Sequence, residues 1–331
     1  MAKERPGMAE ELWYVTPGRA ELREQALGPL LQGEVRVRSL FGAISRGTER
    51  LIFEGRVPES EHRRMRAPRM AGDFPFPVKY GYAVVGRIVE GPGEGRVVFA
   101  LHPHQSEFCV PEGEVVAVPD AVPPVRAVLA ANMETALNAV WDANPGPADR
   151  IAIVGGGTVG LLVARLCARM PGTRVSVVDI AAGRADLVRS LGAAFAMPQD
   201  APDNCDVVFH ASATAAGLKT ALRLAGVEAT VTELSWYGDG EVSVPLGGAF
   251  HSGRLRLVAS QVGMVSPTHR ARWSHRDRLA AALTLLDDPA LDGLLAQPVP
   301  FADLPQRLDH IFRAGDGPVC PVIGYATALE D

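Results

Sequence analysis

Gly155, Gly157 and Gly160 stand in the run IAIVGGGTVGLLVARL as G-x-G-x-x-G. Glycines at this spacing bind a diphosphate when a buried strand precedes them and an apolar helix follows, and the flanking residues here have both characters. The first glycine permits a tight turn, the second lets the backbone approach the pyrophosphate, and the third lets the helix pack on the strand. The opening of the helix, with Gly156, Thr158 and Val159, then offers N–H groups and the positive end of the helix dipole to the phosphates. Asp179 ends the next apolar run, RVSVVDI, 19 residues beyond Gly160. A carboxylate there accepts hydrogen bonds from the adenosine ribose hydroxyls and repels a 2′-phosphate, so NAD is expected over NADP. Arg184, five residues later, works against this selectivity: it would lie over the ribose or adenine, or tolerate a phosphate.

A second concentration of reactive side chains lies nearer the N-terminus. Two of the chain's 5 tyrosines, Tyr80 and Tyr82, flank a glycine in KYGYAVVGRIVEG, and His102 and His104 sit two apart in VVFALHPHQ. Either these pack a strand start or they form one wall of a reaction pocket. The four cysteines, Cys109, Cys167, Cys205 and Cys320, are widely spaced, and no C-x-x-C occurs. Neither a zinc ribbon nor a redox pair is signalled, and free thiols in a reducing cytoplasm are expected.

Two kinds of framework must position these groups. Residues 1 to about 120 read as β-rich: GEVRVRSLFGAIS alternates at period two, and YAVVGRIVEG, GRVVFALH and SEFCVPEGEVVAVP are short β-branched runs bounded by glycine and proline. The stretch FEGRVPESEHRRMRAPRMAGDFPFPVKYG predicts a long surface loop covering a pocket. Val125 to Ala143 has apolar residues at helical spacing and ends in the turn NPGPADR. From Ile151 strand-like and helix-like runs alternate as far as ATVTELSWYG, with RLRLVASQ as a last strand, which predicts a parallel sheet covered on both faces. The tail predicts helices in HRDRLAAALTLLDD and LPQRLDHIFRA and a final strand in GPVCPVIGYA. The expected division is 1–124, 125–266, and a return of 267–331 to the first domain.

Composition sets outer bounds. With 331 residues, 47% hydrophobic and 21% charged, the chain has room for two domains. A net charge of -5 argues against general affinity for nucleic acid. No apolar run approaches the ~20 residues that span a bilayer, and MAKERPGMAEELWYV lacks the apolar segment of a secretory signal, so a cytoplasmic location away from membranes is expected.

The order of parts, a β-rich region, a helix, a dinucleotide fold and a return, resembles the medium-chain dehydrogenase/reductase superfamily over nearly the whole chain. That resemblance implies an α/β protein with a GroES-like β-barrel catalytic domain, a Rossmann doubly wound parallel sheet, an active site in the cleft between them, and a homodimer joined through edge strands of the nucleotide domain. It also exposes a dismantled metal site. Where the family keeps the cysteine of G-[IV]-C-x-x-D, GAISRGTER has Ser45; where it keeps the histidine of G-H-E-x-x-G, GYAVVG has Tyr82, with Ala83 for the glutamate. The third ligand position, in NMETALNAV, keeps Glu134, and the four-cysteine structural zinc lobe is absent. A phenol and a hydroxyl are poor zinc ligands, so neither catalytic nor structural zinc is expected. The text ISRGTER resembles a zinc-lacking branch that includes bacteriochlorophyllide-type hydroxyethyl dehydrogenases.

The same resemblance implies roles. Without a Lewis acid, a hydrogen-bond donor must polarise the substrate oxygen; Tyr82 is the first candidate, with a core tyrosine as the alternative. Ser45 and Thr48 lie where the family carries a hydroxyl relay, and either pass a proton or cap a turn. Arg46 matches a pyrophosphate contact; Glu49 follows and would hold Arg46, Arg50 or a ribose hydroxyl. His102 matches a substrate-pocket position and would serve as a hydrogen-bonding group or general acid, or be structural. Glu134 would orient water or Tyr82, or be a buried acid paired with arginine, and Asn138, one turn on, matches a position beside the nicotinamide. Strand ends supply further cofactor contacts: Ala211 and Ser212, Leu234 and Ser235, Ser260 and Gln261. His210 either faces the cleft or packs in the core. The arginines of SPTHRARWSHRDR and EHRRMRAPR would build an anionic-substrate pocket or a solvated face.

The expected function is zinc-independent, NAD(P)-dependent interconversion of an alcohol and a carbonyl in a small molecule. Reduction of an activated C=C bond, as in quinone or enoyl reductases, and a catalytically inactive NAD(H)-binding sensor or structural protein are the alternatives.

Overall fold

The structure, a computed structural model, describes residues 7–313 and 319–326. The chain forms two compact units, Met1–Ala131 with Leu295–Asp331, and Asn132–Leu294.

In the first unit, alternation in Glu34–Ala43 sends Val35 and Val37 into the core and leaves Arg38 outside. This strand pairs antiparallel with Val84–Glu90, with Glu107–Pro111 and with Val322–Gly324. The sheet continues through Val97–Ala100 to Val115–Ala117 on one side and through Val322–Gly324 to Val299–Pro300 on the other. Val35, Val37, Val84, Ile88, Val98, Phe108 and Val110 fill its interior. A second sheet starts with a hairpin of Met8–Thr16 and Arg19–Ala26 and adds Val78–Lys79 and Ala71–Gly72. The expected surface loop is thus partly built into the fold: Val57, Met70 and Phe74 are buried within it. The segment that leads into it, Arg46–Phe53, is a helix that the sequence reading did not assign and that buries Glu49, Leu51, Ile52 and Phe53.

The second unit holds six parallel strands, in the spatial order Ala194–Ala196, Arg174–Val178, Arg150–Val154, Cys205–His210, Ala225–Glu233, Arg256–Ala259. The chain starts at Arg150–Val154, winds to one edge, returns to Cys205–His210 and winds to the other. The strand order therefore reverses between Arg150–Val154 and Cys205–His210, and in such sheets ligands bind at that reversal, beyond the carboxyl ends of the strands. Thr158–Ala168 and Ala215–Leu224 are crossover helices, burying Leu161, Leu162, Leu218 and Leu222.

Two expected boundaries move. The apolar run from Val125 breaks into Pro124–Ala127 and Ala130–Ala143. The return to the first unit falls at Leu295 rather than at residue 267, because His275–Leu285 packs into the second unit through Arg278, Leu279, Ala282 and Leu283.

Candidate active site and dinucleotide site

In the first unit the tyrosines and histidines gather around Glu49. Its Oε2 accepts from the Tyr14 hydroxyl at 3.0 Å and from His104 Nε2 at 2.9 Å, and its Oε1 accepts from the Ser45 N–H at 2.8 Å. Glu49 is 1% exposed and His104 fully buried. These three donors engage both oxygens of the Glu49 carboxylate. Gly81, at φ +126, sits over the His104 ring, where a Cβ would lie 2.8 Å from it.

Tyr82 is half-buried, its ring edge-on to Tyr80 at 6.1 Å. Burial, seconded by the charge of Glu49, pushes its phenol up to about 12, while hydrogen bonds from Ser45 and Thr48 work the other way. Ser45 occupies the N-cap of Arg46–Phe53 but its side chain makes no capping bond. The capping role expected of Ser45 is thus not taken up, although Glu49 does accept from the Ser45 N–H. Ser45 and Thr48 stand near enough to the Tyr82 phenol to act on it.

His102 is held differently. Its ring stacks on Phe108 at 3.7 Å, Nδ1 bonds the Pro103 carbonyl at 2.9 Å, and it is 5% exposed. Burial depresses its pKa to about 3, with the Pro103 bond opposing. That shift and the stack on Phe108 favour the hydrogen-bonding or structural role of His102 over that of a general acid. Lys79 is buried in a pair with Glu11 at 2.6 Å and bonds Gln105 at 2.9 Å.

In the second unit the glycine loop has the shape a diphosphate requires. Gly155 is at φ +110, and a Cβ on it would lie 2.7 Å from the Ser212 amide nitrogen; a Cβ on Gly160 would lie 2.0 Å from the Gly155 carbonyl oxygen. Gly157 begins the helix with no side-chain cap and with open space where a Cβ would project. A dinucleotide phosphate fits this cradle, because the helix start lacks the side-chain acceptor that usually satisfies it. Asp179 Oδ2 accepts from the Gly156 N–H at 2.6 Å and Oδ1 from the Ala181 N–H at 2.8 Å. Arg184 donates to the same carboxylate and to the Gly156 carbonyl, each at 3.0 Å. Thr158 and Val159 lie in the first turn of the helix.

The strand-end residues share the carboxyl edge. The Ala211 N–H donates to the Val154 carbonyl, the Leu234 N–H to that of His210, and the Ser260 N–H to that of Glu233. Ser235 Oγ accepts from the Ala213 N–H at 3.0 Å, and Gln261 is exposed. Ser260 Oγ donates to Asp142 at 2.6 Å. His210 lies in the interior and is held at both ring nitrogens, with Nδ1 facing Glu233 at 2.7 Å and Nε2 facing Ser212 Oγ at 2.7 Å.

Glu134 and Asn138 are both held by Arg278. Arg278, 1% exposed, donates from Nε to Glu134 at 3.0 Å, and from its other nitrogens to Asn138 and to the carbonyls of Val262 and Met264. Asn138 also accepts from the Ser266 N–H at 3.0 Å and donates to Asp142 at 3.1 Å. Burial raises the Glu134 carboxyl and Arg278 offsets this. The arginine-rich segment from Ser266 is therefore partly interior, and His269 within it stacks on Trp141 at 4.0 Å. In the other basic stretch Arg64, Arg66 and Arg69 pair with Glu61, Asp73 and Glu114. Among the described residues no group of three or more His, Cys, Asp or Glu is arranged to hold a metal ion, and no helix is long and apolar enough to cross a membrane.

The Glu49 hub and the His210–Glu233 pair were not legible as contacts in the sequence. Their one signal is position: His210 and Glu233 each end a predicted strand, and in parallel register they are direct neighbours.

No protein-family model matches the chain. D-guloside 3-dehydrogenase of Escherichia coli K12 is 25% identical to it, over 90% of this chain and 94% of that protein. Among solved structures, one described as a zinc-binding dehydrogenase, from Sinorhizobium meliloti 1021 and bound to NADP, superposes with a TM-score of 0.77 at 19% identity, covering 96% of this chain and 99% of the other. An alcohol dehydrogenase from Escherichia coli CFT073 complexed with NADH gives 0.76 at 16% identity, with coverage of 96% and 99%. The fold is α/β, a GroES-like domain plus a Rossmann parallel-sheet domain.

Proposed function

We propose that this chain interconverts an alcohol and a carbonyl in a small, sugar-like molecule, with NAD as the preferred carrier and without zinc. The chain is an NAD(P)-dependent dehydrogenase. The observation that carries the reading is the glycine cradle of residues 155–160, set at the reversal of the parallel sheet with an uncapped helix start behind it. The D-guloside dehydrogenase it resembles supports a polyol-type substrate.

Gly155, Gly156, Gly157, Thr158, Val159 and Gly160 would hold the pyrophosphate. Asp179 would take the adenosine ribose, with Arg184 braced against it, and Ala211, Ser212, Leu234 and Ser235 would border the nicotinamide half. When bound, the nicotinamide supplies the hydride chemistry. The chain supplies the proton: Tyr82, protonated throughout the neutral range, donates to the substrate oxygen, and Ser45 and Thr48 pass a proton to and from its phenol. Ser45 and Tyr82, at the positions where the family keeps cysteine and histidine, support a zinc-independent reaction like that of the bacteriochlorophyllide-type branch. The acid at residue 179 favours NAD over NADP and so disfavours an enoyl reductase reading. The strand Arg256–Ala259 ends the parallel sheet with Leu257 at 37% and Val258 at 42% exposure, which supports a homodimer through that edge. A cytoplasmic location fits the free cysteines.

The test is NAD⁺ reduction with a panel of sugars, glycosides and polyols, beside metal analysis of the active protein. Turnover that survives chelation and tracks no bound metal supports the reading. Stoichiometric zinc that activity requires refutes its zinc-independent part, and nucleotide binding without turnover favours the sensor alternative.

A further inference from the structure

The His104 ring joins the two segments that hold Tyr82 and its hydroxyl neighbours, and no step above uses it. It is fully buried. At its edge, Nε2 lies 2.9 Å from Glu49 Oε2, and Glu49 Oε1 accepts from the Ser45 N–H at 2.8 Å. The ring thus braces the start of Arg46–Phe53, where Ser45 and Thr48 stand near the Tyr82 phenol. Over its face lies Gly81, the residue before Tyr82. A Cβ on Gly81 would lie 2.8 Å from Cδ2 and Nε2 and 3.0 Å from Cε1. Gly81 is at φ +126, a conformation that residues with a Cβ rarely adopt, so this close approach is built into the backbone. The His104 N–H also donates to the Tyr80 carbonyl at 3.3 Å.

This packing suits a spacer better than a relay. Among the described residues nothing bonds Nδ1, so no protein group carries a proton beyond the ring. Gly42 approaches the ring at that nitrogen, where a Cβ would lie 3.6 Å from Nδ1. The next residue, Ala43, donates its N–H to the Ala83 carbonyl at 3.0 Å, one position past Tyr82. An imidazole is a rigid plane of fixed thickness. Close-packed between the helix start and residues 80–82, it leaves those two backbones one separation.

We propose that His104 is a positioning residue for the interconversion of alcohol and carbonyl: its plane sets the spacing between Tyr82, which follows Gly81, and the Ser45 and Thr48 hydroxyls, whose turn Glu49 anchors. This rests on the reading of Tyr82 as the proton donor.

Steady-state NAD⁺ reduction with the polyol or glycoside that turns over fastest in the panel above tests it, beside NADH calorimetry and urea unfolding of the same intact proteins. His104→Gln keeps an amide N–H within reach of Glu49 but replaces the plane by a flexible chain. It is expected to lower kcat by about tenfold or more, as small displacements of a reacting group do, and to leave NADH affinity unchanged. His104→Ala loses the bond as well as the plane and is expected to lower kcat further. In a Tyr82→Phe background His104→Gln is expected to cost little more, because both changes act on one phenol. Gly81→Ala presses a methyl group onto the ring from its face; should His104→Gln not fold, this variant is expected to show the same loss of kcat and the same dependence on Tyr82. A lower urea midpoint with kcat intact, a fall in the Tyr82→Phe background as large as in the unaltered protein, or a matching loss of NADH affinity would overturn the assignment. If Tyr82→Phe alone leaves kcat unchanged, the donor reading falls, and this assignment with it.

Discussion

Glu49 and His104, 55 residues apart in sequence, are bonded side chain to side chain at 2.9 Å with both groups excluded from water. Glu49 is also the shared acceptor for Tyr14 and for the Ser45 amide, so one carboxylate ties the strand Met8–Thr16 and the segment after Val97–Ala100 to the start of a helix. Glu49→Ala would leave three buried donors without that acceptor. A buried donor left unmade costs ~1–3 kcal/mol. The expected loss is about 3 kcal/mol or more, read as a lower urea midpoint at unchanged slope. Glu49→Gln, which keeps one acceptor oxygen, should lose less.

Tyr82 should behave as a donor rather than a base. Its phenol keeps its proton up to about 12, so carbonyl reduction should show no ionisation of this group from about pH 6 to about pH 10. Tyr82→Phe should lower kcat on the order of hundredfold, the smaller end of the range for a lost general acid, with NADH affinity by calorimetry unchanged. A rate that climbs steadily with pH up to the alkaline limit would point to a base role instead.

Short-range chemistry was legible in the sequence and long-range pairing was not. The glycine spacing of 155–160 and the acid at 179 depend on one strand, one turn and one helix, so periodicity suffices to place them. Glu49 with His104, and His210 with Glu233, depend on which strands pair and in what register, which no local pattern carries. Arg278 shows a second limit. It sits in a run that reads as a charged face, yet it is 1% exposed, because it shares the inward face of His275–Leu285 with Leu279, Ala282 and Leu283 and meets Glu134 and Asn138 there. The helix Arg46–Phe53 was hidden by its own mixture of charge and β-branched neighbours, and its buried acid becomes intelligible only once Tyr14 and His104 arrive from distant segments.

His102 links folding to acid. In the unfolded chain an imidazole titrates near 6.5, whereas burial holds His102 at about 3 in the folded protein. Between those values the unfolded state binds a proton that the folded state excludes, so stability is present above about pH 6.5 and declines as pH falls toward about 3. His102→Phe keeps the stack on Phe108 and removes the titration. Its stability should fall less steeply through that acid window, by about one proton in the slope, measured by urea unfolding at a series of pH values.

Arg278 and Glu134 should prove costly to separate and cheap to remove together. Arg278→Met leaves a buried carboxylate unpaired and strips the Val262 and Met264 carbonyls of a donor. The expected loss is ~3–5 kcal/mol. Adding Glu134→Leu should recover a large part of it, since an apolar pair replaces the ions. Thermal unfolding of the two single variants and the double measures the coupling, and additive losses would show that the pair is not the unit that matters.

Asp179 sets the last prediction, because its carboxylate is shared between the Gly156 N–H and Arg184. With the acid present, a 2′-phosphate meets a fixed negative charge beside the ribose, while Arg184 is partly neutralised by its contact with that acid. Asp179→Ser removes the repulsion and leaves the guanidinium beside the same site without its carboxylate. Charges this close, partly screened by solvent, interact by a few kcal/mol at most, so a change in the NADPH-to-NADH affinity ratio of about tenfold or more toward NADPH is expected. Fluorescence titration with both reduced cofactors reads the ratio directly. Adding Arg184→Ala should pull NADPH back while leaving NADH nearly where Asp179→Ser put it, since only the phosphate engages that charge. A ratio unmoved by Asp179→Ser would mean that the ribose is read elsewhere and that this carboxylate serves only to brace the glycine turn.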